Sequence, residues 1–312
     1  MEDVKIIFMG TPEFAVPIFK GLVEHYHVVA VVTQPDKCVG RKQIMMPSPI
    51  KEASALYNIP VLQPKNIKEE YQMVLDFHPD LIITCAYGQI LPAAILEYPK
   101  YGCINVHASL LPKLRGGAPI HHAIIDGYQK TGVTIMYMSL KMDAGDILTQ
   151  AETAISDQDT LESLSKRLSE MGKMLLLKTL PDLLAGKLEA KAQDESEVTY
   201  GYNITREEEK IDFNWSKEKI DCLVRGLYPH PGAYTTLDGK IMKVYNVRLG
   251  HREYFSTPNG TIADFEKDGF CVVAGGEEII ITDIAIEGKK RCLVKDYLNG
   301  VDKEKLRGKI LK

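Results

Sequence analysis

Short unbroken apolar runs alternate along the first part of the chain with stretches in which apolar residues return every third or fourth position. Residues 4–9, VKIIFM, form such a run and stop at Gly10, and TPEFAVPIFKGL after it has helical spacing, so a strand entering a helix is predicted. The pair recurs as an apolar run at 28–32 and a helical pattern at 48–57. Further strands are predicted at 59–62, at 80–86, just after Gly102 and at 132–138. Such alternation predicts an α/β fold built on a doubly wound, mostly parallel sheet. Residues 33–49, TQPDKCVGRKQIMMPSP, are too polar and too rich in Pro and Gly for regular structure and are predicted to form a long loop. That loop leaves the carboxyl end of a strand, the side on which open sheets bind ligands, so Arg41 and Lys42 can reach an anionic partner there.

Between 160 and 184, Leu161, Leu164, Leu168, Met171, Leu175 and Leu176 recur at helical spacing, predicting one long amphipathic helix capped by Asp159 or Thr160. Residues 186–209 have neither period and read as a linker, with a boundary near 207. Beyond a helix at 217–227 come five short β runs, at 233–237, 240–248, 261–265, 270–274 and 279–286, separated by turn residues such as Asp238-Gly239 and Gly275-Gly276. This spacing predicts a small closed β-barrel of the oligonucleotide-binding (OB) type. The expected organisation is a first domain over 1–187, a linker over 188–207 and a barrel over 208–312.

A chain of 312 residues, 45% hydrophobic and 26% charged, is large enough for two such domains. Met1 is followed by Glu2 and Asp3, and the first apolar run breaks at Gly10, so neither a signal peptide nor a membrane span is expected and the protein is placed in the cytoplasm. Cys38, Cys85, Cys103, Cys222, Cys271 and Cys292 are scattered without a C-x-x-C pair; they read as reduced core thiols, and no metal is expected. The net charge of −4 is unevenly spread, because residues 289–312 hold nine basic and three acidic side chains. That run fits either a solvated tail or a basic surface for nucleic acid.

Candidate chemistry concentrates at 102–120, GCINVHASLLPKLRGGAPI. Side chains alternate along a strand, so Asn105 and His107 share a face, and Lys113, Arg115, Gly116 and Gly117 follow as a basic, flexible loop. Residues 141–146, KMDAGD, put Asp143 and Asp146 on an adjacent ligand-edge segment. An amide, an imidazole and a carboxylate suit acyl transfer to an amine: the imidazole moves the proton, the amide donates to the oxyanion and the carboxylate orients the imidazole. The plain alternative is a structural histidine, and spacing does not choose between Asp143 and Asp146. His121 and His122, in the following helix, read as packing or surface residues. The first turn, MGTPEFA, lacks G-x-G-x-x-G and the chain contains no G-x-x-x-x-G-K-[ST], which argues against a dinucleotide at that turn and against a P-loop.

NVHASLLPKLRGGAPI, taken with GVTIMYMSLKMDAGDIL, resembles the motif of the folate-dependent formyltransferases. It implies a Rossmann-like formyltransferase domain, 10-formyltetrahydrofolate as the formyl donor, Asn105, His107 and Asp143 as the catalytic set, and Ser109, Leu110, Leu111 and Pro112 at the folate site. IIFMGTPEFA, the TQPD…GR…MPSP loop and AYGQILP resemble the branch of the family that formylates the α-amine of methionyl initiator tRNA, a resemblance that covers nearly the whole chain, and the loop and the basic carboxyl end favour tRNA as the substrate. That branch implies tRNA contact at Arg41, with Lys42 beside it, and on the barrel at Lys289, Lys290 and Arg291. The loop is less basic than the family pattern, since Gln43, Ile44, Met45 and Met46 follow Lys42, so its affinity is expected to be weaker or more apolar. A monomer is expected, with no membrane partner. The rival enzyme reading is a formyltransferase acting on a sugar-nucleotide amine, and the rival outside enzymes is an RNA-binding protein without activity.

Overall fold

Strands that read as unbroken apolar runs are those covered on both faces. The computed structural model describes residues 4–39 and 44–312. Its first compact unit spans residues 1–119, 130–154 and 165–202 and, among the described residues, contains nine strands. These are β1 (Ile6–Gly10), β2 (Val28–Val32), β3 (Lys37–Val39), β4 (Ile44–Met46), β5 (Val61–Leu62), β6 (Leu81–Cys85), β7 (Cys103–His107), β8 (Lys130–Tyr137) and β9 (Ile147–Ala154). Seven of them form one sheet in the order β5-β2-β1-β6-β7-β8-β9. The pairs from β5 to β7 are parallel, whereas β7–β8 and β8–β9 are antiparallel. Every residue of β1 and β6 is buried, which is why neither shows an alternating pattern. The parallel strands end at Gly10, Val32, Cys85 and His107 along one edge, and chain order reverses between β1 and β6, the crevice that doubly wound sheets offer to ligands.

Two features depart from the expectation. The stretch 33–49 is not loop throughout, because β3 and β4 pair there as an antiparallel hairpin. Ile44, Met45 and Met46 are 58%, 60% and 47% exposed, so this strand has no buried face to leave a period in the sequence. The second is β9, an edge strand whose positions are mostly half-buried or exposed, which hides it from a search for apolar runs. The helix Pro49–Ala55 starts as expected, with the Ser48 hydroxyl accepting from Lys51 N–H at 3.1 Å. The long helix runs over Leu161–Leu184, and the Thr160 hydroxyl accepts from Ser163 N–H at 3.2 Å.

The second unit spans residues 120–129, 155–164 and 203–312. It holds β10 (Ala233–Leu237), β11 (Lys240–Glu253), β12 (Ile262–Phe265), β13 (Phe270–Ala274), β14 (Glu277–Ile286) and β15 (Cys292–Leu293). The first five match the five β runs of the sequence; β15 is an added pairing on β14. The order β10-β11-β14-β13-β12 leaves β10 and β12 as the ends of the sheet. The last residues join them. Ile262 N–H donates to Lys309 O and Leu311 N–H to Gly260 O, while Thr236 and Lys312 exchange backbone hydrogen bonds at 2.8 and 3.2 Å. The ring is closed through this terminal segment, which satisfies edges that would otherwise stay unpaired. Leu311 is 2% exposed in a core that includes Phe213, Val244, Leu223, Phe270 and Ile281. His121 also belongs to this unit, and burial lowers its pKa to about 4, with His122 pushing the same way, so it is a neutral packing residue near pH 7.

Removing the Leu311 side chain should therefore destabilise the closed ring. Leu311→Ala is expected to cost about 2–4 kcal/mol in urea unfolding of the whole chain. A loss under about 0.5 kcal/mol would show that packing does not hold the closing segment.

Candidate functional site

His107 ends β7, opposite Thr134 of β8, and its side chain is 6% exposed. Its Nε2 lies 3.0 Å from the carbonyl oxygen of Leu114. A carbonyl only accepts, so the proton of the neutral ring is assigned to Nε2 and the lone pair to Nδ1. Nδ1 faces Asp143 Oδ1 at 3.7 Å, too far for a hydrogen bond but within ion-pair distance. The other oxygen, Oδ2, accepts from Gly116 N–H at 2.8 Å. Asp146, the competing acid, is exposed, and its backbone oxygen takes the N–H of Tyr137. The structure thus brings Asp143, and not Asp146, to the imidazole. Asn105 sits two residues earlier on β7, half-buried, and its Oδ1 accepts from the Thr84 hydroxyl of β6 at 2.8 Å.

The segment after His107 is held from β8 and β9. Thr134, fully buried, donates its hydroxyl to Ser109 O at 2.7 Å and accepts from Leu111 N–H at 3.2 Å and from Gln150 Nε2 at 2.9 Å. Gln150 Nε2 also donates to Leu111 O at 2.9 Å. Ser109 Oγ turns inward to donate to Lys113 O at 2.6 Å, and the Leu111–Pro112 peptide is cis. Ser109 and Leu111 are buried, whereas Leu110 and Pro112 are half-buried.

The loop from Lys113 to Gly117 is not free, and of its two cations only Lys113 is exposed. Arg115 is buried: its Nε and Nη2 donate to Gln193 Oε1 at 3.0 and 2.8 Å and Nη2 donates to Glu195 Oε1 at 2.9 Å. Its backbone pairs with residues 199–201, through Arg115 N–H to Thr199 O and Gly201 N–H to Arg115 O. Leu114 N–H donates to the Thr199 hydroxyl at 2.9 Å. Lys113 reaches Glu197 at 3.6 Å. Part of the stretch expected as linker is therefore bonded into the first unit. Gly116 fits because its φ of +121° and a would-be Cβ only 2.7 Å from Gly201 O exclude a side chain.

Thr134, Gln150, Gln193 and Thr199 escaped sequence reasoning. Thr134 lies inside an apolar strand, Gln150 on an edge strand, and the other two in a stretch without period; none carries a local signal. Of the residues expected at tRNA, Arg41 and Lys42 lie outside the described residues. In the second unit, Lys289 and Lys290 are exposed in the turn after β14, with Lys289 Nζ 5.2 Å from the Tyr297 ring centroid. Arg291 forks onto Asp283, with Nε 3.0 Å from Oδ1 and Nη2 2.7 Å from Oδ2, and covers the ring of Tyr245 at 4.2 Å. Among the described residues no cluster of His, Cys, Asp or Glu could hold a metal ion.

A mostly parallel sheet that carries an amide and an imidazole on β7, with a carboxylate from the β8–β9 connection beside the imidazole, is followed in the chain by an antiparallel β unit. The sequence matches the family model of formyl transferases over residues 4–180 and that of the formyl transferase C-terminal domain over residues 203–302, and the chain belongs to this family. It is 54% identical over 311 residues to the methionyl-tRNA formyltransferase of Bacillus cytotoxicus, which covers 96% of this chain and 97% of that protein. Among solved structures, HypX of Aquifex aeolicus in complex with tetrahydrofolic acid matches with a TM-score of 0.66 at 17% identity, covering 95% of this chain. This chain spans about half of HypX, 47% of its length. An N-formyltransferase of Helicobacter canadensis, in complex with folinic acid and dTDP-3-aminofucose, matches with a TM-score of 0.66 at 19% identity over 89% of this chain and 98% of that one. Both likenesses are of fold.

The tight approach at Gly116 generates a stability prediction. Gly116→Ala is expected to cost about 2 kcal/mol or more and to reduce activity with it, because a Cβ there meets a backbone carbonyl in a conformation that L residues avoid. Urea unfolding within about 0.5 kcal/mol of the parent would contradict it.

Proposed function

We propose that the protein transfers the formyl group of 10-formyltetrahydrofolate to the α-amine of methionyl initiator tRNA, giving formylmethionyl-tRNA for translation initiation. The observation that carries this is the 54% identity to a methionyl-tRNA formyltransferase across 96% of the chain, both units included. The sugar-amine relative shares fold alone, at 19% identity.

In the reaction, the bond from the donor nitrogen to the formyl carbon breaks as a bond from the methionine nitrogen forms. The attacking amine gives up a proton, the donor nitrogen gains one, and negative charge builds transiently on the formyl oxygen. His107 takes the proton at Nδ1, since Leu114 occupies Nε2, and Asp143 stabilises the cation that results. Asn105 has its amide oxygen committed to Thr84, which keeps its NH2 group for the formyl oxygen. The folate lies against residues Ser109, Leu110, Leu111 and Pro112, where support comes from their anchoring by Thr134 and Gln150. The first unit carries the chemistry. Arg41, Lys42, Lys289, Lys290 and Arg291 contact tRNA, with Arg291 contributing less than the two lysines because Asp283 already answers its charge. We take the chain to act as a monomer in the cytoplasm; no helix among the described residues is long and apolar enough to cross a membrane, and all six cysteines are free thiols.

Purified protein given 10-formyltetrahydrofolate and methionyl initiator tRNA should produce acid-stable formylmethionine. Folate release without it would point to hydrolysis, and turnover only on a sugar-nucleotide amine would overturn the substrate. His107→Gln and Asp143→Asn should each lower kcat by at least about 100-fold; activity within threefold of the parent would remove that residue from the mechanism.

Salt provides a separate check on the second unit. Replacing Lys289 and Lys290 together by Ala should raise KM for tRNA, leave KM for folate unchanged and lower the salt slope of tRNA binding by about one to two. An unchanged slope would place the tRNA elsewhere.

A further inference from the structure

The side-chain amide of Gln193 can sit only one way round. Arginine has donors alone and peptide carbonyls are acceptors alone, so the oxygen must face Arg115 and the nitrogen must face the carbonyls. Oε1 accepts from Nε and Nη2 of Arg115 at 3.0 and 2.8 Å, and Nε2 donates to Asp143 O and Gly145 O, each at 2.8 Å. Both lone-pair directions and both hydrogens are used. The far end of this link is a turn that needs holding. Asp143 has a φ of +49°, a left-handed conformation that a residue with a Cβ adopts at a cost, and Gly145 is pressed so close to β8 that a Cβ would lie 1.9 Å from Tyr137 O. The near end is fixed, because Arg115 is buried and its backbone is paired with residues 199–201.

Asp143 is thus gripped twice from one place in the chain: its carboxylate by Gly116 N–H directly, and its carbonyl by Arg115 through Gln193. We propose that Gln193 is a positioning residue for Asp143, transmitting the fixed position of Arg115 to the Asp143–Gly145 turn so that the carboxylate faces Nδ1 of His107. This rests on the reading of Asp143 and His107 as partners in proton transfer.

Gln193→Glu separates positioning from plain structure, since a carboxylate still accepts from Arg115 but has no hydrogens for the two carbonyls. The expected result is a folded protein whose kcat falls by about 10- to 100-fold, as small misplacements of a reacting group do, with KM for folate and for tRNA within about twofold of the parent. In an Asp143→Asn background the same change should cost less than about threefold more, because residues acting as one unit are not additive. A Gln193→Glu enzyme with kcat within twofold of the parent, or one whose loss multiplies in full on Asp143→Asn, overturns the proposal. If Gln193→Glu does not fold, Gln193→Met, which keeps the length and drops the polar atoms, is read by the same criteria. Asp143→Asn with parental kcat would instead refute the reading of Asp143, whatever Gln193 does.

Discussion

A guanidinium withdrawn from water needs acceptors, and Arg115 finds them about eighty residues downstream, on Gln193 and Glu195. Meeting that need draws residues 193–201 alongside the loop that follows β7, and the pairing fixes three consecutive residues at once. Leu114 then presents its carbonyl to the imidazole, Gly116 presents its N–H to the carboxylate, and Arg115 itself holds Gln193. The ligand edge is assembled by backbone groups whose positions follow from one buried charge. Glu195 is largely exposed, so the bond to it is partly screened by water, and the neutral Gln193 contributes the more protected half of the clamp.

Much of this was legible in the sequence and some of it was not, for physical reasons. The strands of the parallel core announce themselves because both faces are buried, and β10–β14 because turn residues punctuate them. Asn105 and His107 could be placed on one face by strand period alone. The choice of Asp143 over Asp146 could not be made that way, since it depends on which residue takes the left-handed conformation and turns its carboxylate towards Gly116. Arg115 reads in sequence as part of a basic, flexible loop because Lys113 precedes it and two glycines follow it; its partners lie in a polar stretch with no period, where tertiary hydrogen bonds leave no trace in the pattern. Strand β4 was missed because Ile44, Met45 and Met46 are all exposed and leave no buried face to mark a period.

The second unit shows a similar gap between counting and structure. Nine basic residues against three acidic ones at 289–312 suggest a surplus of charge. Several of those cations are answered from outside the stretch: Arg291 by Asp283, Arg307 by Asp264 and Lys309 by Asp238. What remains for a polyanion is therefore narrower than the composition implies, and Lys289 and Lys290 lie together on one turn within it. Lys309 also sits in the segment that closes the ring between β10 and β12, so part of the basic run serves the architecture of the unit.

The hydrogen bond from His107 to Leu114 has a further consequence. An imidazole with both nitrogens open can act as a conduit, receiving a proton on one side and releasing it on the other. Here one side is taken up by a carbonyl, so in the proposed reaction the ring would be a parking place with a single entrance: a proton that arrives at Nδ1 would have to depart from Nδ1. Donor and recipient of that proton have to share the small space between the ring and Asp143, in turn or together, and any group that reaches His107 from the Leu114 side meets a nitrogen already in use.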